Sequence, residues 1–180
     1  MTLFKTWYDH ACMQWYFGFG ANRDSRMIRA ITGRCAIGIP AQITGFQLCV
    51  ESIKHIPEKA RRILYTKWDA NFVSYGIVPK ETKTVRGRLW LLSNSQRELI
   101  RRWELVGTWS REVHVTAQCT LLGFHLSVPA VSEELLQQQV SLVEKATYKT
   151  FIVPRNRLLR VARMVRPLRL LPAYHQDMKT

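Results

Sequence analysis

A chain of 180 residues that is 47% apolar and 11% aromatic has the length and make-up of one compact domain with its own core, which excludes a disordered or fibrous protein. Its 27 Lys and Arg against 13 Asp and Glu leave a net charge of +14, a field that draws nucleic acid, anionic lipid or small anionic substrates without choosing among them. No run of 18 apolar residues occurs, which excludes a membrane-spanning helix.

The first segment, "MTLFKTWYDHACMQW", is broken by Lys5, Asp9 and His10, which reads against a secretory leader and for a cytoplasmic protein. "QWYFGFG" (14–20) reads as a short strand ending in a glycine turn. Asp24 or Ser25 then caps a helix over 25–32, stopped by Gly33. "AQITGFQLCVES" (41–52) is a second strand with a bulge expected at Gly45. "PEKARRILYTKW" (57–68) reads as a short helix or an irregular excursion. "FVSYGIVP" (72–79) and "TVRGRLWLLS" (84–93) are strands, with "KETK" between them of hairpin length.

"NSQRELIRRWELV" (94–106), with Asn94 or Ser95 as its cap, predicts a helix, and 110–128 alternates like further strand. "SEELLQQQVSLVEKATYKTF" (132–151) predicts a helix capped by Ser132. "RNRLLRVARMVRPLRLLP" (155–172) predicts a basic helix that Pro167 ends or kinks. Its arginines, spaced mostly by three, drift around the helix. That suits either a solvated face over an apolar one or a surface for nucleic acid or anionic lipid. The order predicts an α+β domain over 1–180, a small mixed or barrel-like sheet flanked by helices, with a core of about 14–172 and peripheral ends.

Cys12, Cys35, Cys49 and Cys119 form no C-x-x-C pair and read as reduced, mostly buried thiols. His10, His55, His114, His125 and His175 lack zinc-ligand spacing, so no metal is expected. Two stretches hold the residues for chemistry. In "FGFGAN" (17–22), a strand enters Gly-x-Gly just before a helix. Such a turn either lines up backbone N–H groups that hold a carboxylate or phosphate, or is only a tight corner. In "RRWELVGTWSREV" (101–113), Glu104 is either a desolvated general acid/base among Trp103, Leu105 and Val106, or a solvated partner of Arg101 or Arg102.

Together, in this order and separation, the two stretches resemble the γ-glutamylcyclotransferase-like (AIG2-like) family. Its first motif, Y-F-x-Y-G-S-N, is matched by "YFGFGAN" (16–22), and "IVP" followed by V-x-G-x-L by "GIVPKETKTVRGRLWLL" (76–92). Its E-G-x-x-Y-x-R is matched by "WELVGTWSREV", with Glu104, Trp109 and Arg111 at the Glu, Tyr and Arg. The chain departs from the pattern at Phe19 and Ala21, which lack the family's hydroxyls, and at Leu158, where some relatives carry a Tyr.

The resemblance implies a small β-barrel with flanking helices, no cofactor, and cyclisation of a γ-glutamyl amine or peptide to 5-oxoproline. It implies Glu104 as the catalytic acid/base and Phe19, Gly20, Ala21 and Asn22 as the substrate loop. There the backbone N–H groups of Gly20, Ala21 and Asn22 would hold the α-carboxylate. Tyr148 falls where members often carry an aromatic residue. A small anionic γ-glutamyl substrate is the implied partner. Two other readings stand beside it: a noncatalytic binding or interaction module, suggested by Phe19 and Ala21, and a protein associated with nucleic acid or anionic membranes, suggested by the charge.

Overall fold

Adjacent aromatic residues on the first strand, β1 (Met13–Gly18), face opposite ways and separate two apolar layers. Phe17 packs with Ile43, Leu89, Val115 and Ala117 inside a ring of strands, while Tyr16 packs outward with Met27, Ile28 and Ile100 under two helices. A computed structural model describes residues 13–52, 58, 73–136, 144–145, 158–159 and 161–163.

Helix α1 (Ser25–Thr32) follows a 3-10 turn over Gly20–Arg23. Asp24 caps it by accepting the Arg26 N–H at 2.9 Å, and Gly33, at φ 78°, ends it, both as the sequence predicts. Its buried Met27, Ile28 and Ile31 make one helical stripe.

Strands β2 (Ile37–Ser52) and β3 (Val73–Ser93) run antiparallel from Ile37↔Leu91 to Ser52↔Val73. The expected bulge is at Gly45 (φ 90°), where the register passes from Thr44↔Thr84 to Phe46↔Pro79. The expected hairpin at "KETK" is not formed. Residues 80–83 are an exposed excursion opposite Gly45, and both flanking stretches pair with the same strand, β2. A continuous partner strand overrode the turn-like composition.

Helix α2 (Asn94–Trp103) is capped by Ser93, one residue before the expected caps, through a capping box: Ser93 Oγ accepts the Gln96 N–H and Gln96 Oε1 accepts the Ser93 N–H. Strands β4 (Ser110–Leu121) and β5 (Phe124–Leu135) form a hairpin through Leu122 and Gly123. The helix expected from Ser132 is therefore corrected at its start. Residues 132–135 continue β5, because Arg111↔Glu134 and Ser110↔Leu135 complete the ladder with β4 and Ser132 Oγ donates to the Phe17 carbonyl at 2.9 Å. A short β6 (Glu144–Lys145) pairs with β2.

The pairings β1–β3–β2–β4–β5 close into a five-stranded ring, since β5 also lies parallel to β1 at Tyr16↔Val131. The fold is α+β, a small mixed ring with helices on one side, as expected. Of the C-terminal basic segment, residues 158–159 and 161–163 are helical and Val161 is buried in the outer layer, whereas 57 and 59–68 lie outside the described residues. No helix among the described residues is long and apolar enough to cross a membrane.

Two glycines make room for the buried Trp90. A Cβ on Gly18 would stand 2.7 Å from the Asn22 carbonyl and 2.9 Å from Trp90 Nε1, and one on Gly38 would run into the Trp90 ring. Trp90 is 1% exposed and has nowhere to move. Gly38→Ala is expected to lower the unfolding free energy by about 1–3 kcal/mol through overpacking, measured by denaturant titration.

Candidate active site

Glu104 owes its position to the way α2 ends. It is the C-cap residue, and the next residue, Leu105, adopts φ 53°. Val106 N–H then bonds to the Arg101 carbonyl at 3.0 Å and Leu105 N–H to the Arg102 carbonyl at 3.4 Å, the paired closure usually made with glycine. Holding a leucine in this left-handed region costs about 1 kcal/mol, offset by its packing on the outer apolar layer. Ser110 Oγ donates to the Glu104 carbonyl at 3.0 Å. The backbone of Glu104 is thus held from both sides.

The carboxyl meets the glycine turn. Asn22 Nδ2 donates to Glu104 Oε1 at 2.7 Å and to the Tyr16 hydroxyl at 2.9 Å. Asn22 is in turn anchored by its main chain: its N–H bonds to the Phe19 carbonyl at 2.9 Å and its carbonyl accepts Trp90 Nε1–H at 2.8 Å. Its Oδ1 is buried with no hydrogen-bond partner among the described residues. An acidic side chain and the loop 82 residues before it in the chain therefore meet at one part-buried contact.

A second buried carboxylate, Glu133 on β5, stands behind them. Arg97 of α2 pairs with it at 2.7 Å, pairs with Glu112 at 2.7 Å, and lies over the Tyr16 ring at 4.8 Å. Arg101 joins Glu112 at 2.8 Å. Burial first, then the negative charge of Glu133, pushes the Glu104 pKa up to about 8, against the opposing pull of the Asn22 hydrogen bond and Arg97. The negative end of the α2 macrodipole acts in the same direction.

Burial raises Glu133 as well, but the guanidinium at 2.7 Å and a hydrogen bond from Tyr16 oppose it. Of the two carboxyls, Glu133 is the one with a cation in contact that favours its charged form. Burial and the two glutamates also raise the Tyr16 pKa, so its hydroxyl stays protonated and donates to Glu133.

The sequence-derived residues are placed as follows. Glu104 and Asn22 touch; Phe19, Gly20 and Ala21 are half-buried in the same turn; Tyr148 lies outside the described residues. One expectation is corrected: the Asn22 N–H is used by the turn itself, so Asn22 meets Glu104 through its side chain and not as a third backbone amide for an anion. The first turn of α1 is likewise served by Asp24. Trp109, at the family's Tyr position, is buried in the outer layer, and Arg111 pairs with Glu134 at 2.6 Å.

Four contributors were not foreseen from the sequence: Tyr16, Trp90, Arg97 and Glu133. Two of them had a readable signal: Tyr16 opens the matched motif "YFGFGAN", and "VSEEL" read as strand puts one of its two glutamates on the layer facing the helices.

The architecture is that of the γ-glutamylcyclotransferase-like fold. The chain superposes on a γ-glutamyl cyclotransferase with a TM-score of 0.58 and 12% identity, over 84% of this chain and 99% of that one. An uncharacterised human protein gives 0.55 and 15%, over 83% and 98%, and an Arabidopsis thaliana protein gives 0.52 and 16%, over 70% of each. No family model and no curated protein matches the sequence. Identities this low speak to the fold alone.

The raised Glu104 pKa carries a stability consequence. Between its ordinary 4.5, expected in the unfolded chain, and about 8 in the fold, the unfolded state releases the proton first, so stability falls as pH rises through that window. Glu104→Gln removes this burden. Its thermal midpoint should exceed that of the unmodified protein at pH 9 and converge with it near pH 4, as followed by circular dichroism.

Proposed function

We propose that the protein is a γ-glutamyl cyclotransferase, turning a γ-glutamyl amine or peptide into 5-oxoproline and the free amine or amino acid. The observation that carries this reading is the part-buried Glu104 carboxyl, its pKa raised to about 8, at 2.7 Å from the glycine-turn side chain of Asn22. A buried carboxyl with a pKa near working pH suits passing a proton in both directions.

The steps follow from that arrangement. The substrate's α-carboxylate rests at the Gly20–Ala21 backbone, and its α-ammonium faces Glu104, with Asn22 Oδ1 the acceptor for a remaining N–H. Ionised Glu104 takes one ammonium proton. The freed amine attacks the γ-carbonyl and a C–N bond forms; Glu104 returns its proton to the departing nitrogen as the C–N bond to it breaks, and the ring nitrogen gives up its second proton to the released amine, which leaves as its ammonium. No water is consumed and no cofactor is required. Folding one substrate back on itself supplies much of the rate by orientation.

Glu133, with Arg97 and Tyr16, acts as a positioning group that sets where Glu104 ionises. Phe19 and Ala21 remove two hydroxyls from the loop but no backbone donors, so they bear on which substrate fits rather than on the proton path.

A panel of γ-glutamyl amines and peptides assayed for liberated 5-oxoproline tests the reading. At least one compound should be turned over, and Glu104→Gln should reduce the rate by about 10²–10⁴-fold with the fold retained. An inactive protein across the whole panel favours a binding module on the same fold. Since the base is the ionised form, kcat/KM should rise with pH and level off above about 8. Glu133→Gln removes a negative neighbour, so it should move that limb to lower pH; an unmoved limb rejects the role given to Glu133.

A further inference from the structure

The β4–β5 hairpin ends in an apolar tip that the ring leaves uncovered. Leu122 is 88% exposed, Phe124 70%, Leu121 43% and Leu126 39%. By register Leu121 stands opposite Phe124 and Cys119 opposite Leu126, on the face whose next pairs line the ring interior. The hairpin thus carries its inward face past the rim.

The turn adds a second peculiarity. Both of its residues have positive φ, Leu122 at 51° and Gly123 at 85°, a pattern in which Asn-Gly is the favoured pair. A leucine there is disfavoured by its backbone and by its exposure. Such a residue has its use outside the folded chain.

The surroundings say what kind of surface fits. A cavity of about 850 Å³ opens at the base of the hairpin, lined by Arg23, Arg86, Arg88, Gln118, Thr120 and His125 among others. Thr120 and His125 are the register pair next to Leu121 and Phe124, so the cationic cavity and the apolar tip adjoin. Asp24 is the one carboxylate lining the cavity among the described residues, and Arg26 engages it at 2.5 Å. Arg86 makes no ion pair with a described residue, and Arg88 stacks on Trp90 at 5.4 Å.

We infer that this end of the molecule is a docking surface for an anionic lipid bilayer. The apolar tip enters the headgroup–acyl boundary and the cavity takes lipid phosphates. A bilayer of anionic lipid answers both features together: hydrocarbon for the leucines and phenylalanine, negative headgroups for the arginines beside them. A second copy of the chain answers the tip but brings another +14 against the same cations. A nucleic acid answers the arginines but offers three exposed leucines no partner. The cavity also borders Gly20 of the glycine turn, so the apolar tip, and not the cavity, is the part of this surface that lies outside the proposed cyclisation site.

Co-sedimentation of the 180-residue protein with vesicles of phosphatidylcholine, alone or mixed with phosphatidylglycerol, tests it. Binding is expected to the mixed vesicles, weakened by salt. Leu122→Asn combined with Phe124→Ser should weaken it about tenfold or more. The thermal midpoint should not fall, because Asn suits the turn. Arg86→Gln, as a separate variant, should weaken binding without altering the tip, and 5-oxoproline release should be unchanged in the tip variant. Several results overturn the inference: no binding to either vesicle, binding that the tip variant leaves intact, inorganic phosphate bound with vesicles ignored, or self-association that the tip variant abolishes. Retention on RNA or DNA that outcompetes the vesicles overturns it as well.

Discussion

The contact between the Asn22 side chain and the Glu104 carboxyl ties the two halves of the molecule together. It needs a turn that brings an amide inward, a helix that stops at the right residue, and a tryptophan that holds the turn from behind. Trp90 fits only because Gly18 and Gly38 carry no side chain, and Glu104 stands at the end of α2 only because Leu105 accepts a left-handed conformation. Each local feature is disfavoured or neutral by itself and becomes favourable when the ring closes around it.

Closure also explains the electrostatics. A carboxyl against Asn22 and Tyr16, taken out of water and within reach of another carboxylate, holds its proton near neutral pH. Burying Glu133 as an ion is tolerable because Arg97 meets it and stacks over Tyr16, and Glu112 with Arg101 continues the alternation of charge. The network is balanced by geometry: one guanidinium serves Glu133 and Glu112, and Glu104 has no cation in contact among the described residues. This asymmetry makes Glu104 the proton carrier and Glu133 its fixed neighbour.

The site and the apolar hairpin tip make different demands on the same strands. Near Glu104, β5 supplies a buried acid that only a completed ladder and an arginine can stabilise. At its other end it runs beyond the rim, where no strand but β4 pairs with it among the described residues and its inward-facing residues meet solvent. One strand therefore serves an enclosed chemical site and an exposed surface, separated by the depth of the ring.

Much of this was legible in the residues. The strand and turn at 14–20, the Asp24 cap and Gly33 stop of α1, the bulge at Gly45 and the placing of Glu104 at a helix end all follow from short-range chemistry, because caps, positive φ and alternation are properties of a few neighbouring side chains. What failed were readings in which a long-range partner outweighed the local pattern. "KETK" looks like a hairpin, but β2 pairs through on both sides of it. "SEEL" looks like a helix start, but β4 and Arg97 draw it into the sheet. The sequence by itself determined which residues were available for acid–base chemistry and where the chain would turn. Only the tertiary structure decided which amide of the turn was spent on its own hydrogen bond, which buried acid kept its charge, and which leucines were left in water. These depend on distances across the ring, and short-range spacing does not contain them.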